Sequence, residues 1–498
     1  MQDRKEKSLW FLTGSQHLYG KETLEKVAAN AKEIAGALND SFGPLVRVVF
    51  KPVLTTSEDI LSICMEANND PVCVGVICWM HTFSPAQMWI GGLKGLQKPF
   101  VHLHTQHNRD IPWDEIDMDF MNLNQSAHGD REFGFICSRM AIDRYVVTGH
   151  WKDPEVAADI GDWARAAVAR DESFSLKIAR FGDNMRDVAV TEGDKVEARM
   201  KMGWAVKGYG VGELVARVNA VAEQDARALV DEYKEAYSLS GKLTDDPDAL
   251  RKLEEAAKIE LGILDFLQEG GFSAFTTTFE DLHGLSQLPG LAVQRLMAGG
   301  YGFGAEGDWK TAALVRCMKV MSRGLEGGTS FMEDYTYHLD PSGMSVLGAH
   351  MLEVCPSLAS ARPSLELHPL AIGGKDDPPR LVFPVATGKA LNASLLDMGN
   401  RFRMVVNTVT SIKSPDLPKL PVARALWAPD PDLKISATAW ILAGGAHHTG
   451  FSMSLRPVHM EHFSRMLGIE HLIIDTGTTI REFRNELRWN ELYYKIQE

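Results

Sequence analysis

The sequence is poor in cysteine and has no pair of cysteines at metal-binding spacing. Six cysteines are spread over 498 residues. None of them forms a C-x-x-C motif, so a zinc–thiolate site is unsupported. The cysteines are also too sparse for the disulfide scaffold of a small secreted protein. We therefore expect a cytoplasmic protein with reduced thiols.

Long apolar runs and an excess of basic residues are also missing. A membrane-spanning helix needs about 20 consecutive apolar residues, and the longest apolar run, residues 72–80, is far shorter. The amino-terminal stretch turns polar too early for a signal peptide. With 52 basic and 66 acidic side chains, the formal net charge is −14, whereas nucleic-acid binding favours a basic surface. We expect neither a membrane nor a nucleic-acid partner.

The first part of the chain alternates short apolar runs with amphipathic stretches. Amphipathic periodicity predicts helices at residues 22–38, 57–67 and 85–96, with Ser57 as the cap of the second. Apolar runs predict strands at residues 9–13, 45–53, 72–79 and 100–104. This alternation indicates a doubly wound parallel sheet with helices on both faces.

A second series of the same kind follows a charged helical stretch at residues 154–171. It has predicted strands at 176–181 and 204–207 and predicted helices at 212–221 and 248–268. Beyond residue 324, strand-like segments such as 380–385, 403–410 and 423–427 are separated by Pro, Gly and Asp turns, and a helix is predicted at 479–496. The predicted fold is therefore α/β, with two doubly wound α/β domains, residues 1–175 and 176–325. A β-rich, mainly antiparallel and barrel-like domain, residues 326–498, follows them.

Two segments suggest a ligand without specifying one. KGYGVGEL, residues 207–214, follows a predicted strand, but its glycines lack the G-x-G-x-x-G spacing of a dinucleotide loop. We interpret it as a tight turn that lets strand and helix pack closely. In HLHTQH, His102 and His104 share one face of a strand and His107 follows. They either hold a metal ion or hydrogen-bond loop backbone at the carboxyl edge of the sheet, where open α/β sheets bind ligands.

Carboxylates and imidazoles recur in four short apolar segments of the second half. A charged group in an apolar setting is costly, so such groups usually pair with one another or bind a metal. Carboxylates and imidazoles without sulfur suit a divalent ion such as Mn²⁺. The segments are AEGDWK with Glu306 and Asp308, SFMEDYTYH with Glu333 and Asp334, LGAHMLEV with His350, and AGGAHHTGF with His447 and His448.

A site of two glutamates and two histidines leaves coordination positions open for a substrate. The metal would polarise a carbonyl and lower the pKa of a neighbouring hydroxyl, and a carboxylate would remove and return a proton. This chemistry suits aldose–ketose isomerisation. It suits a metal-dependent aldolase or a hydrolase nearly as well, so the residues alone leave these alternatives open.

Eight long motifs follow one another along the chain. They are TGSQHLYG (13–20), HTFSPAQMWI (81–90), NLNQSAHGDREFG (122–134), GDNMRDVAVTEGDKVEA (182–198), FTTTFEDL (275–282), GYGFGAEGDWKTA (300–312), SFMEDYTYH (330–338) and AHHT (446–449). In this order they make the sequence closely resemble the L-arabinose isomerase family. That family is similar in fold to L-fucose isomerase, which implies two α/β domains and a β-rich third.

The resemblance implies an activity, a metal and a set of site residues. The activity is the conversion of L-arabinose to L-ribulose through a cis-enediol, with D-galactose to D-tagatose as a side activity. Glu306 and Glu333 would be the catalytic acid and base, and Mn²⁺, or Co²⁺ in its place, would be held by Glu306, Glu333, His350 and His448. The residues implied to bind the sugar are Gln16, Leu18, Phe83, Gln125, His128, Met185, Phe279 and His447.

The resemblance also implies a homo-oligomer, a hexamer or a tetramer, with active sites between subunits. Gln16 and Leu18 would approach the sugar from a neighbouring subunit. A metal-assisted hydride shift is the alternative mechanism. A sugar-binding module is the alternative from another class, and it would need no buried pair of acids. A nicotinamide dehydrogenase is disfavoured by the spacing of the glycines.

Overall fold

The structure, a computed structural model, describes residues 6–370 and 374–497. The chain forms two compact units, Met1–Asp171 and Glu172–Glu498. Within the described residues no helix combines the length and the apolar character needed to cross a membrane. All six cysteines are buried and unpaired.

A five-stranded parallel sheet forms the centre of the first unit. Its strands are β1 (Ser8–Gly14), β2 (Arg47–Phe50), β3 (Cys73–Met80), β4 (Phe100–His104) and β5 (Tyr145–Thr148), in the order β2-β1-β3-β4-β5. Strands β1 and β3 are buried along their whole length, as strands are when helices cover both faces of a sheet. The helices are α1 (Gly20–Phe42), α2 (Ser57–Asn69), α3 (Ile90–Gly95), α4 (Met118–Leu123), α5 (Ser126–Arg139) and α6 (Pro154–Ser175).

The structure confirms the predicted alternation of this unit and corrects two details. Residues 85–96 are not one helix but a 3-10 turn, Ala86–Trp89, followed by the short α3. The cap of α2 is Thr56 and not Ser57, because Ser57 already lies in the first turn and the Thr56 hydroxyl accepts the N–H of Asp59 at 3.1 Å. Strand β5 and helices α4 and α5 were not predicted.

The first half of the second unit contains a four-stranded parallel sheet. Its order is β10-β9-β6-β7. The strands of this segment are β6 (Lys177–Phe181), β7 (Ala205–Tyr209), β8 (Ser238–Leu239), β9 (Ala274–Thr277) and β10 (Gly302–Gly304). Its helices are α7 (Lys195–Met202), α8 (Val211–Ala220), α9 (Glu223–Ala236), α10 (Gly241–Asp245), α11 (Pro247–Gly270), α12 (Gly290–Ala298) and α13 (Trp309–Met321).

Most of the remaining strands form a closed, mainly antiparallel barrel. The remaining strands are β11 (Thr329–His338), β12 (Ser345–Ala349), β13 (Ser364–Leu367), β14 (Pro379–Val382), β15 (Gly388–Asp397), β16 (Phe402–Ile412), β17 (Arg424–Pro429), β18 (His448–Ser452) and β19 (Glu470–Ile474). Of these, β13 and β14 lie outside the barrel. The order β15-β18-β11-β12-β17-β16 closes through β15–β16 pairing, and β19 adds parallel to β16. This confirms the predicted fold class. The helices are α14 (Leu433–Ala443), α15 (Pro457–Leu467) and α16 (Ile480–Gln497).

A small third sheet, β14-β13-β8, joins strands from both halves of the second unit. The predicted division of this unit at residue 325 stays a prediction.

Two glycine-rich segments differ in how closely other atoms approach their glycines. In strand β10, a Cβ on Gly302 would lie 2.1 Å from the Ala312 carbonyl oxygen and one on Gly304 would lie 2.3 Å from that of Asp308, so close packing requires both glycines. The segment 207–214 does form the turn from β7 to α8. However, a Cβ on Gly210 or Gly212 would meet no atom within 4 Å, so the expected close packing is absent there.

Candidate active site

Three adjacent barrel strands bring Glu333, His350 and His448 to one level of the barrel. Glu333 on β11 pairs directly with His448 on β18 and with Ala349 on β12, and His350 follows Ala349. Residues directly opposite on paired strands point to the same face of a sheet. The ring of Phe331, two residues before Glu333, lies with its centroid 5.1 Å from each imidazole. The barrel therefore places one carboxylate and two imidazoles close together, and both imidazoles contact the Phe331 ring.

Glu306 reaches these residues from the turn between β10 and α13. Its φ of 59° is uncommon for a residue with a side chain. Three hydrogen bonds stabilise this turn: the Met185 N–H donates to the Glu306 carbonyl at 3.0 Å, the Gly307 N–H to Thr277 at 3.2 Å, and the Asn184 amide to the Gly307 carbonyl at 3.2 Å. Such backbone conformations persist where the surroundings fix them, often at functional sites.

Glu306, His350 and His448 each offer an atom within 4.8 Å of the other two. His448 Nε2 lies 3.8 Å from Glu306 Oε2, and His350 Nε2 lies 3.9 Å from Glu333 Oε2. His448 is fully buried, and its Nε2 has no hydrogen-bond partner among the described residues. A buried ring nitrogen without a partner, next to a carboxylate, is the environment that a cation would complete.

Two further carboxylates hold the other nitrogen of each buried imidazole. His448 Nδ1 donates to Asp308 at 3.3 Å, and His350 Nδ1 donates to Glu353 at 2.5 Å. Asp308 also caps α13 by accepting the Thr311 N–H at 3.1 Å. Carboxylates in this position orient a metal-binding histidine and leave Nε2 free as the ligand. The sequence pattern indicated Asp308 without a role and gave no sign of Glu353, which lies three residues after His350 in LGAHMLEV.

The charges of the site follow from burial and from these pairs. Burial lowers the pKa of His448 despite the opposing Asp308 carboxylate, which favours the neutral imidazole. Burial also disfavours protonation of His350, but the Glu353 carboxylate outweighs it and raises the pKa of His350. His447, whose Nε2 lies 3.7 Å from Glu306 Oε2, lowers the pKa of Glu306, and its own pKa is raised. Glu306 is therefore ionised at neutral pH.

The predicted sugar-binding residues of the second unit are Met185, Phe279 and His447. Met185 is tied to Glu306 through its backbone, and His447 contacts Glu306 through its ring. The His447 side chain is 37% exposed while that of His448 is fully buried. Phe279 follows β9 and packs against the apolar core of the parallel sheet. The structure thus brings Met185 and His447 to Glu306.

The other five predicted sugar-binding residues lie in the first unit. Gln16 and Leu18 follow β1, and Leu18 is 83% exposed. Phe83 follows β3, and its ring centroid lies 4.6 Å from that of His128 on α5. Gln125 precedes α5 and accepts the Tyr19 hydroxyl at 3.2 Å. These residues gather at the carboxyl edge of the parallel sheet, where such sheets bind ligands.

The histidines of HLHTQH bond to a carboxylate and not to loop backbone. His102 Nε2 and His104 Nδ1 donate to the two oxygens of Asp130, at 2.8 and 2.7 Å. His107 Nε2 donates to Glu33 at 2.9 Å. Asp130 stands 26 positions beyond His104 on the unpredicted helix α5, so local spacing did not indicate this contact.

Asp308→Asn tests the candidate metal centre, with added Mn²⁺ as the probe ion. The variant should bind the probe about 10- to 100-fold more weakly, because a carboxylate that orients a metal-binding imidazole typically contributes that much. Isothermal titration of Mn²⁺ into the variant measures the change. Asp432→Asn is the matched control. Asp432 caps α14 through the Ile435 N–H at 2.9 Å and bonds to no histidine in the described part of the chain. Equal Mn²⁺ affinities of the two variants would contradict this role of Asp308.

The fold and the site define an α/β enzyme with a candidate metal centre of carboxylates and imidazoles. Models of three domains match the chain in order: the L-arabinose isomerase N-terminal domain at residues 3–175, the central domain at 177–324 and the C-terminal domain at 328–470. The chain belongs to the L-arabinose isomerase family.

Curated relatives match along the whole chain. An L-arabinose isomerase from Koribacter versatilis is 61% identical over 497 residues, covering 100% of this chain and 99% of the relative. The L-arabinose isomerase of Geobacillus stearothermophilus is 60% identical over 98% of both chains, and that of Yersinia pseudotuberculosis is 56% identical over 99% of both. This confirms the family that the motifs indicated.

Proposed function

We propose that the protein is an aldose–ketose isomerase that converts L-arabinose to L-ribulose, with D-galactose to D-tagatose as a side activity. Relatives named L-arabinose isomerase match it at about 60% identity over the full chain. The observation that carries the proposal is the buried cluster of Glu306, His350 and His448. A sugar-binding module has no need of this cluster, and its burial next to the Glu333 carboxylate favours an enzyme.

The proposed metal ligands are Glu306, Glu333, His350 and His448, holding Mn²⁺ or Co²⁺. The unpartnered Nε2 of His448 supports this assignment, as do the carboxylates that hold the Nδ1 atoms of His448 and His350. Two carboxylates and two imidazoles suit a divalent ion of this kind. When bound, the ion supplies Lewis-acid polarisation of the sugar carbonyl and acidifies the neighbouring hydroxyl.

The proposed proton transfers belong to the two glutamates. One carboxylate removes the C2 proton of the open-chain aldose while the other, in its protonated form, donates a proton to O1, which gives a cis-enediol. The first then returns its proton to C1 while the second takes the proton of O2, which gives the ketose and restores both groups. Glu306 is ionised because of His447, and Glu333 stands 3.9 Å from His350, so both carboxylates line one site. General acid–base catalysis needs such groups within hydrogen-bond reach of the reacting atoms.

The remaining proposed contacts bind the sugar. His447 is suited to a sugar hydroxyl, because it is partly exposed and already close to Glu306. In a cytoplasmic homo-oligomer, hexamer or tetramer, the first-unit residues complete the site, with Gln16 and Leu18 contributed by a neighbouring subunit. The exposure of the apolar Leu18 side chain supports a role in contact with another molecule. The proposed sugar-lining set is Gln16, Leu18, Phe83, Gln125, His128, Met185, Phe279 and His447.

Removal of metal should abolish ketose formation from L-arabinose, and Mn²⁺ should restore it. The protein is treated with a chelator, dialysed and assayed before and after Mn²⁺ is added, with Mg²⁺ as the control ion. Restoration is expected because the imidazole-containing site prefers Mn²⁺ to the harder Mg²⁺. Ketose formation that persists after metal is shown to be absent would overturn the metal assignment. Absence of ketose in both states, from folded protein, would overturn the substrate.

A further inference from the structure

Asp130 lies at the centre of a buried hydrogen-bond network in the first unit. Its side chain is almost fully buried. One oxygen accepts His102 Nε2 at 2.8 Å and the Met80 N–H at 3.3 Å, and the other accepts His104 Nδ1 at 2.7 Å. A single carboxylate therefore ties α5 to the end of β3 and to β4.

The His102 ring depends on this carboxylate. His102 is 3% exposed, and its Nδ1 has no hydrogen-bond partner in the described residues. Its ring packs edge-on against Phe133 of α5 with centroids 5.0 Å apart. Loss of the Asp130 bond would leave a buried imidazole without any polar partner, which is costly. The ring and α5 would then have to shift.

The first turn of α5 packs directly against the loop after β3. Gly129, the neighbour of Asp130, lies so close to this loop that a Cβ there would stand 2.5 Å from the Thr82 carbonyl oxygen. The Gln125 N–H donates to the His81 carbonyl at 3.1 Å. A change in the position of α5 therefore changes this contact as well.

The same turn and loop carry side chains of the proposed sugar site. His128 lies two residues before Asp130, and its ring contacts that of Phe83 with centroids 4.6 Å apart. Gln125 begins the turn, and its side-chain Oε1 accepts the Tyr19 hydroxyl at 3.2 Å. The position of all three side chains depends on how the start of α5 sits against β3 and β4.

We propose that Asp130 is a positioning residue for sugar binding. By bonding His102, His104 and the Met80 N–H together, it sets the place of the first turn of α5, so that Gln125 and His128 meet the sugar in the correct geometry. Because the Asp130 side chain is buried, this role requires no contact between Asp130 and the sugar or the metal. This inference rests on the proposed function, because it assigns Gln125, His128 and Phe83 to the sugar.

Asp130→Asn tests the inference with little change of shape. The amide keeps one acceptor oxygen and cannot accept from both histidines. We expect KM for L-arabinose to rise about 10-fold, in line with the cost of small misplacements of binding groups. The value of kcat and the Kd of Mn²⁺ should stay close to those of the unaltered protein, because losing an interaction made equally in ground and transition states raises KM alone.

Asp171→Asn is the matched control in the same unit. The Asp171 carboxylate accepts a hydrogen bond from Lys7 at 2.6 Å. Lys7 lies just before β1, so this bond is at the amino end of the sheet, opposite to the proposed sugar site. Asp171→Asn should therefore lower the melting temperature without changing KM. A rise of KM in Asp171→Asn equal to that in Asp130→Asn, or an unchanged KM in Asp130→Asn, would overturn the positioning role.

His104→Leu, whose side chain cannot donate to Asp130, covers the case in which Asp130→Asn does not fold. The His104 side chain is 33% exposed and its loss breaks only one of the three bonds. We expect KM for L-arabinose to rise, but by less than in Asp130→Asn. An unchanged KM would overturn the inference. Absence of isomerase activity in the unaltered protein is a different result, because it overturns the proposed function and this inference with it.

Discussion

Replacing Glu306 by glutamine should lower kcat for ketose formation from L-arabinose by about 10³-fold or more. The amide keeps an oxygen for the metal but cannot accept a proton, and general acid–base catalysis contributes about 10²- to 10⁴-fold. Steady-state kinetics at saturating Mn²⁺ measure the loss, and metal analysis shows whether the ion is still bound. Glu326→Gln is the control, since Glu326 is an exposed carboxylate in the turn after α13.

A separate isotope-exchange experiment distinguishes proton transfer through a cis-enediol from a hydride shift. In D₂O the unaltered protein should place deuterium at C1 of the ketose, because a carboxylate that holds the proton exchanges it with solvent. Full retention of deuterium from C2-labelled arabinose would indicate a hydride shift instead. Substantial turnover by Glu306→Gln would contradict the proposed role of Glu306 under either mechanism.

Replacing His448 by alanine should reduce Mn²⁺ affinity by more than about 100-fold, whereas replacing its neighbour His447 should leave the metal bound. The loss of a direct ligand exceeds the 10- to 100-fold effect expected for a residue that only orients one. His448 is fully buried with an unpartnered Nε2, and its ring is oriented by Asp308. Metal content after dialysis, compared between the two variants, is the measurement.

His447→Ala should instead raise KM for the sugar with kcat changed less. The His447 ring is partly exposed and contacts Glu306, so it is placed to meet a substrate hydroxyl. Loss of metal from His447→Ala and its retention in His448→Ala would reverse the two assignments. Melting curves of both proteins show whether the buried substitution has unfolded the barrel.

The local pattern of apolar and polar residues was sufficient to predict most of the longer strands and helices. The apolar runs that became β1 and β3 are buried over their whole length, and buried parallel strands have such continuous runs. The barrel strand β16 was also predicted from its sequence. Short elements escaped prediction: β10 has three residues and α4 has six, which is too few for a period to show.

The proposed metal ligands were identified from sequence motifs. The carboxylates that orient the histidines were identified only from the structure. Glu306, Glu333, His350 and His448 were named because their segments resemble those of a known family, which spacing alone did not achieve. Asp308 lies 140 residues from His448 and Asp130 lies 28 from His102. No local pattern links residues so far apart, because folding alone brings them together.

The sequence by itself determined the alternation of strands and helices, the barrel-like character of the last segment and the residues of the proposed metal site. These are local properties, since periodicity and motifs need only neighbouring residues. Only the tertiary structure decided that Glu333 pairs with His448 across β11 and β18, that Glu306 has a positive φ beside them, and that His102 and His104 share Asp130. Strand register and helix packing create these contacts, and both depend on burying surface from distant parts of the chain at once.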